Sequence, residues 1–342
     1  MKEDYRRPAA ARSAIVNLAG SKIDISPAYL SQPERPDLAE IDIVLSDLYN
    51  TRRMSDMLLV NTNEMPWTSG LEVVAKMTPE FGRNLGPADE VKRAYQKFKQ
   101  KILRLDPDTT QRLDLIQIDA GYADLTDAYH DSVEECLFLS GDCDLSGEGH
   151  FVGDDYFWRP PGWVHSARTK DGFEALLLLQ GVSSGDGSGP VSRRIRPASE
   201  AGTNALTSDL DQAIGPRGWV RRLHTRLVAW QPGSAYARGQ GPLDLFDTGH
   251  IAVKILSSNP VTGSQSILLR LDPGYRQGRA GRHSAATEFF VLDGSLSIGD
   301  CDLDKRCYCY RPPHDVEAPM TSASGATLFM KVNGWLDFEG SA

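Results

Sequence analysis

Two stretches of this chain repeat the same ordered residues at a fixed spacing. Gly121-Tyr122, His130, Glu135 and Gly141 recur as Gly274-Tyr275, His283, Glu288 and Gly294, offset by 153 (274 − 121, 294 − 141). Tyr156, Arg159-Pro160-Pro161 and His165 recur as Tyr308, Arg311-Pro312-Pro313 and Glu317, offset by 152 (311 − 159, 317 − 165). A repeat of this length means two successive domains of one architecture, and 342 residues are enough for two full cores. The copies differ at the last position: the first keeps two histidines where the second keeps one.

Outside residues 1–60 the chain breaks into short apolar runs bounded by Gly, Pro and Asp. In the first copy they fall at 71–77, 113–118, 137–139 and 176–179; in the second at 227–230, 251–256, 267–271, 289–292 and 327–332. Runs of this length read as strands of a sandwich or barrel, so the expected class is all-β with a few helices. One helix is expected from Pro87 to Leu105, with Val91, Tyr95, Phe98 and Ile102 at helical spacing before Asp106-Pro107-Asp108 stops it. Trp67 with Val73-Val74-Ala75-Lys76-Met77 reads as the counterpart of Trp230 with Ala252-Val253-Lys254-Ile255. The expected division is an N-terminal extension at 1–60, a first domain at 61–182, a connector at 183–224 opening on the linker-like run 183–190, and a second domain at 225–336. Gly141 and Gly294 are placed where the chain needs positive φ or a close approach.

The net charge of −9 and the absence of a long basic run argue against a nucleic-acid backbone as partner; Arg193-Arg194-Ile195-Arg196 is too short to alter this. No apolar stretch reaches about 18 residues, and the charged start from Met1 to Arg12 has no signal-peptide pattern, so a cytoplasmic protein without a membrane span is expected. Five cysteines with no CxxC pair fit reduced thiols; Cys307-Tyr308-Cys309 alternates as a strand does.

In the first copy His130, Glu134 and His165 present a histidine, a carboxylate four residues on, and a second histidine on a later strand. A barrel can bring such residues together at its mouth. Two imidazoles and one carboxylate form a facial donor set that suits iron(II), and also manganese or zinc. Strand alternation puts Glu135 on the face opposite Glu134, and a one-residue slip in register would make Glu135 the ligand instead. In the second copy Thr287 stands for Glu134 and Glu317 for His165. A rearranged site from His283, Glu288 and Glu317 is the alternative to a metal-free barrel kept as scaffold. His150, His224 and His250 have no partner motif and read as surface or loop residues. Phe157, Trp158 and Trp163 read as barrel-end packing, and Arg159, shared with Arg311, as a residue of the fold. The prolines after it set a rigid turn that presents His165 to the interior.

The run from His130 through Glu134-Glu135 to Gly141, followed by Gly153-Asp154-Asp155-Tyr156 and Arg159-Pro160-Pro161-Gly162 up to His165, resembles the two motifs of the cupins. The resemblance covers residues 60–182 and, more weakly, 225–335. The paired glutamates and the Pro-Pro-Gly run are most similar to cupins of the anti-sigma-factor type (ChrR-like) and to acetylacetone-cleaving dioxygenases. It implies a bicupin: duplicated jelly-roll barrels of the double-stranded β-helix type, with one divalent metal ion, iron(II) in first place and zinc or manganese as alternatives. Cupins carry two histidines separated by one residue in the first motif; His130 aligns with the second, and Ala128 stands at the first. A three-ligand centre with open positions follows, which suits catalysis better than a closed structural site; Asp127, Tyr129 or water are the candidates to fill the missing place. The expected function is an iron(II) dioxygenase for a small enolisable or phenolic substrate, walled by Leu137, Leu139 and the tryptophans. The alternatives are a zinc or manganese isomerase or lyase, and a non-catalytic sensor of metal or ligand. Anti-sigma relatives place a His- and Cys-rich helical domain before the barrel, whereas residues 1–60 here contain neither residue. The expected partner is a small molecule, with homodimerisation open.

Overall fold

The computed structural model describes residues 14–18, 21–25, 52–54, 57–75, 85–106, 111–130, 132–160, 162–180, 182–183, 190–191, 195–197, 220–234, 248–258, 263–277, 282–315, 318–334 and 338–339. Two compact units emerge, Met1–Tyr49 and Asn50–Ala342. In the first, Ala14–Leu18 pairs antiparallel with Ser21–Ile25. The second contains both copies of the repeat.

Each copy builds an antiparallel sheet of the same strand order. In the first it runs Val220–His224, Asp155–Arg159, Val133–Leu145, Phe173–Gln180, Arg112–Ile118, Phe98–Leu105, Thr68–Ser69; in the second Met57–Asn61, Cys307–Arg311, Thr287–Ile298, Ala326–Val332, Gln265–Leu271, Ile251–Ser258, Gln231–Pro232, with Arg52–Met54 beyond Met57–Asn61. The lists match strand for strand except that the leading strands are exchanged. Met57–Asn61, which precedes the first copy, pairs with Cys307–Arg311 of the second, and Val220–His224, from the connector, pairs with Asp155–Arg159 of the first. The repeat reaches into these strands: Lys101 Nζ donates to the Thr62 carbonyl and sits 4.3 Å from the Trp67 ring, as Lys254 Nζ donates to the Thr225 carbonyl and sits 4.6 Å from Trp230.

That correspondence corrects two sequence expectations. The helix covers only Ala88–Tyr95; Phe98–Leu105 is a strand paired with Arg112–Ile118, and it, not 73–77, is the counterpart of Ile251–Ser258. Gly70–Ala75, expected as a strand, is a short helix, and 76–77 lie outside the described residues. Trp67 and Trp230 do correspond. Between Gly70 and Phe98 there are 27 residues, against 17 between Gly233 and Ile251. The ten extra residues of the first copy fall where it carries the helix Ala88–Tyr95.

Side chains alternate across each long strand. In the first barrel Cys136, Phe138, Phe151, Phe157 and Phe173 fill the interior, with Phe138 centroids 5.4, 6.3 and 5.3 Å from those of Phe151, Phe157 and Phe173, within the favourable range for aromatic pairs. The second interior is filled mainly with aliphatic, Met and Cys side chains, among them Ile267, Met320, Met330, Cys301, Cys307 and Cys309, beside Tyr275 and Phe289. All five cysteines are buried, and none is in a disulfide.

The outer faces meet at a polar seam. Tyr156 Oη donates to Glu135 Oε1 at 2.6 Å and Lys331 Nζ, from the second copy, to Glu135 Oε2 at 2.7 Å. In mirrored fashion Tyr308 Oη donates to Glu288 Oε2 at 2.6 Å, and Arg104, from the first copy, contacts the same oxygen at 3.4 Å. The shared Glu and Tyr of the two copies are therefore seam residues.

Gly141 and Gly294 lie within the long strands, bent there at φ 78° and 75°. A Cβ at either would stand 2.1 Å from a carbonyl oxygen, that of Gly172 or Gly325. Gly141→Ala is expected to cost at least about 2 kcal/mol, from the left-handed backbone plus the clash; a urea midpoint unchanged from wild type would contradict this. Among the described residues no helix is long and apolar enough to cross a membrane.

Candidate metal centre

The strand Ala128–His130 is held on both sides. Ile195–Pro197 of the connector pairs with it, Ile195 opposite His130, and Ala128 exchanges both backbone hydrogen bonds with His165 at 2.9 and 2.8 Å. Gly162 N–H donates to the His130 carbonyl at 2.8 Å, with Gly162 at φ 85°, so the turn after Arg159-Pro160 is anchored beside one histidine and delivers the other. Glu134 enters from Val133–Leu145 on the interior face. One donor atom from each of His130, Glu134 and His165 lies within 4.8 Å of the others, and the two imidazole centroids are 5.5 Å apart.

Their protonation suits a cation. Trp163 O, which can only accept, lies 3.1 Å from His165 Nδ1, so Nδ1 carries the proton and Nε2 presents its lone pair. That Nε2 faces Glu134 Oε2 at 3.5 Å. Burial, then the nearby Arg159 guanidinium, push His165 down to about 3 against the pull of Glu134. Burial works to raise Glu134, but Arg159, His165 and His130 outweigh it and hold the carboxyl down to about 2. At neutral pH a bare nitrogen lone pair and a carboxylate oxygen thus confront one another with no proton between them. His130 Nδ1 is buried without a hydrogen-bond partner.

Arg159 is more than a residue of the fold. Its Nη1 lies 3.2 Å from Glu134 Oε2 and its Nη2 3.1 Å from the fully buried Glu148 side chain. Glu148 offsets the guanidinium charge, so with neutral imidazoles the cluster carries one net negative charge. Donors of this type and charge fit a divalent ion.

The remaining sequence candidates are placed elsewhere. Glu135 points into the seam, away from Glu134, held by Tyr156 and Lys331. Asp127 Oδ1 accepts from Ser146 and Ser166, and Tyr129 alternates away from Ala128 and His130 on its strand, so neither supplies the place left by Ala128. Leu137 shares the seam-side face with Glu135, so the interior wall is made by Cys136 and the phenylalanines. In the second copy Glu288 is tied to Tyr308 and Arg104; Glu317 lies outside the described residues, and of His283 only the backbone, in Arg282–His283, is described. His224, read as a loop residue without a partner, sits in a strand with Nδ1 2.8 Å from buried Asp155.

A family model for the ChrR cupin-like domain matches residues 243–335, the second barrel, and the first barrel repeats its strand order. The fold is a bicupin. Among solved structures this bicupin is similar in fold to a "putative dioxygenase" of Nostoc punctiforme, with TM-score 0.61 and 16% identity over 86% of this chain and 93% of that one. It is also similar to a "putative glyoxylate induced protein" of Pseudomonas aeruginosa, with TM-score 0.52 and 8% identity over 85% of this chain and 94% of that one. No curated protein sequence matches the chain.

A cavity of about 90 Å³ opens beside His130 and His165. The helix Ala88–Tyr95 roofs it with Val91, Ala94 and Tyr95, and Tyr122 and Asp124 complete the wall. Tyr122 Oη donates to Asp124 Oδ1 at 2.6 Å, and Ala167 N–H donates to Oδ2 at 2.6 Å. Sequence reasoning noted Tyr122 only as a repeat residue and missed Asp124. The available signal was a difference between copies, for Gln277 stands where Asp124 does.

Proposed function

We propose that the first barrel is a metal-dependent dioxygenase site of a cytoplasmic enzyme, with iron(II) held by His130, Glu134 and His165 and a small enolisable or phenolic molecule as substrate. The observation that carries this reading is the unshared confrontation of His165 Nε2 and Glu134 Oε2 at 3.5 Å beside the unpartnered His130 Nδ1. A cation relieves all three at once, and the cavity reaches the two histidines from the open side. When bound, iron(II) supplies the redox chemistry needed for reaction with O₂. The protein's part is positional. The Trp163 carbonyl fixes the His165 tautomer, a second-layer contact of the kind that orients metal-binding imidazoles. Arg159 keeps Glu134 ionised and aimed inward, and the phenylalanine cluster keeps water from the barrel side. The likeness to a protein described as a dioxygenase agrees with this class; the reading itself rests on the donor set.

The test is oxygen uptake by iron(II)-loaded protein with a panel of small phenols and β-diketones. Substrate-dependent uptake is expected, falling at least about 100-fold in Glu134→Gln, since loss of a ligand exceeds the effect of losing its support. Turnover equally fast without O₂ would overturn the oxygenase and favour zinc or manganese acting as a Lewis acid in an isomerase or lyase.

A further inference from the structure

The repeat offers an internal control for Asp124. Asp124 and Gln277 occupy the same place: each donates a backbone hydrogen bond to the facing strand, Asp124 N–H to the Ala167 carbonyl and Gln277 N–H to the Met320 carbonyl, both 2.8 Å. Each side chain also accepts the returning amide, Ala167 N at 2.6 Å on Asp124 Oδ2 and Met320 N at 3.0 Å on Gln277 Oε1. The neutral amide of Gln277 performs this structural task in the second barrel. Accepting that amide therefore does not require the negative charge of Asp124, which occurs in the barrel that holds the histidine pair and the roofed cavity.

The surroundings of that charge restrict what it can bind. Each oxygen already accepts one hydrogen bond and has a further lone pair, and Asp124 lines the cavity together with Tyr122 and Tyr95. No lysine or arginine lines the cavity among the described residues, and Arg159 is engaged by Glu134 and Glu148. Without the metal, a substrate carboxylate would meet like charge with no cation to offset it, whereas a hydroxyl finds an acceptor. A site built to hydrogen-bond a hydroxyl discriminates strongly against analogues that lack it.

We infer that Asp124 is a specificity-determining residue, which selects a small neutral substrate by accepting its hydroxyl hydrogen bond and turns away carboxylates. This rests on reading the roofed cavity as the place where substrate meets the histidines.

The test compares dissociation constants of phenol, anisole and benzoate, by ligand-observed NMR, for the full chain as purified and after chelation. Phenol is expected to bind at least tenfold more tightly than anisole, which has lost the donor, in both states, and than benzoate in the chelated protein. Asp124→Gln, a change the second barrel already accommodates, should bring the three within about threefold while leaving metal content unchanged. Anisole binding as well as phenol, or benzoate doing so in the chelated protein, would overturn the inference, as would no binding of any probe, a preference that survives Asp124→Gln, or a phenol-over-anisole preference that vanishes on chelation. The comparison of the three probes on wild-type protein needs no variant. Failure of the dioxygenase reading shows separately, as absent oxygen uptake with the phenol preference of the chelated protein intact.

Discussion

His130→Ala is expected to purify without metal, while wild type and His283→Ala each carry about one ion per chain, because a bound ion in such sites needs at least three protein donors. His130 contributes one of only three candidates, and the Ala128 position gives no reserve. Its neighbours cannot substitute: Asp127 is occupied by two serine hydroxyls and Glu135 by Tyr156 and Lys331. The measurement is elemental analysis of protein purified with no metal added, which also identifies the ion. Metal kept in His130→Ala but lost in His283→Ala would move the centre to the second barrel.

Lys331→Ala should destabilise the chain by about 3–5 kcal/mol, the cost of leaving a buried charge without its partner. The Lys331 and Glu135 side chains are 2% and 0% exposed, and neither has water to fall back on. Replacing both together, Lys331→Met with Glu135→Leu, should recover most of the loss, since a buried ion pair and an apolar pair of similar size are often near parity. Urea unfolding reads both. A loss below about 1 kcal/mol in the single variant would mean that water reaches the seam carboxylate.

The repeat made the architecture legible, because residues fixed by the fold recur in register: glycines where a Cβ would strike a carbonyl, and the Glu and Tyr of the seam. The three donors were legible from their types and from strand alternation, which separates Glu134 from Glu135. What misled was buried polarity. Gln100, Lys101 and Arg104 are buried, so Phe98–Leu105 lacks the apolar–polar alternation of a half-buried strand, and its remaining apolar residues line up with those of the preceding helix. The exchange of leading strands was not legible at all, since a strand's own residues do not state which sheet it joins. Asp124 was overlooked because the comparison followed what the copies share, and the informative position is one where they differ.

The exchanged strands also bear on what half of this protein can be. A cut in the connector does not release two self-sufficient barrels: the leading piece retains Met57–Asn61 but has lost Val220–His224, and the trailing piece holds the reverse. Each fragment carries the edge its counterpart lacks. The single chain thus joins two copies with reciprocally lent strands, and either copy alone lacks the strand that the other supplies.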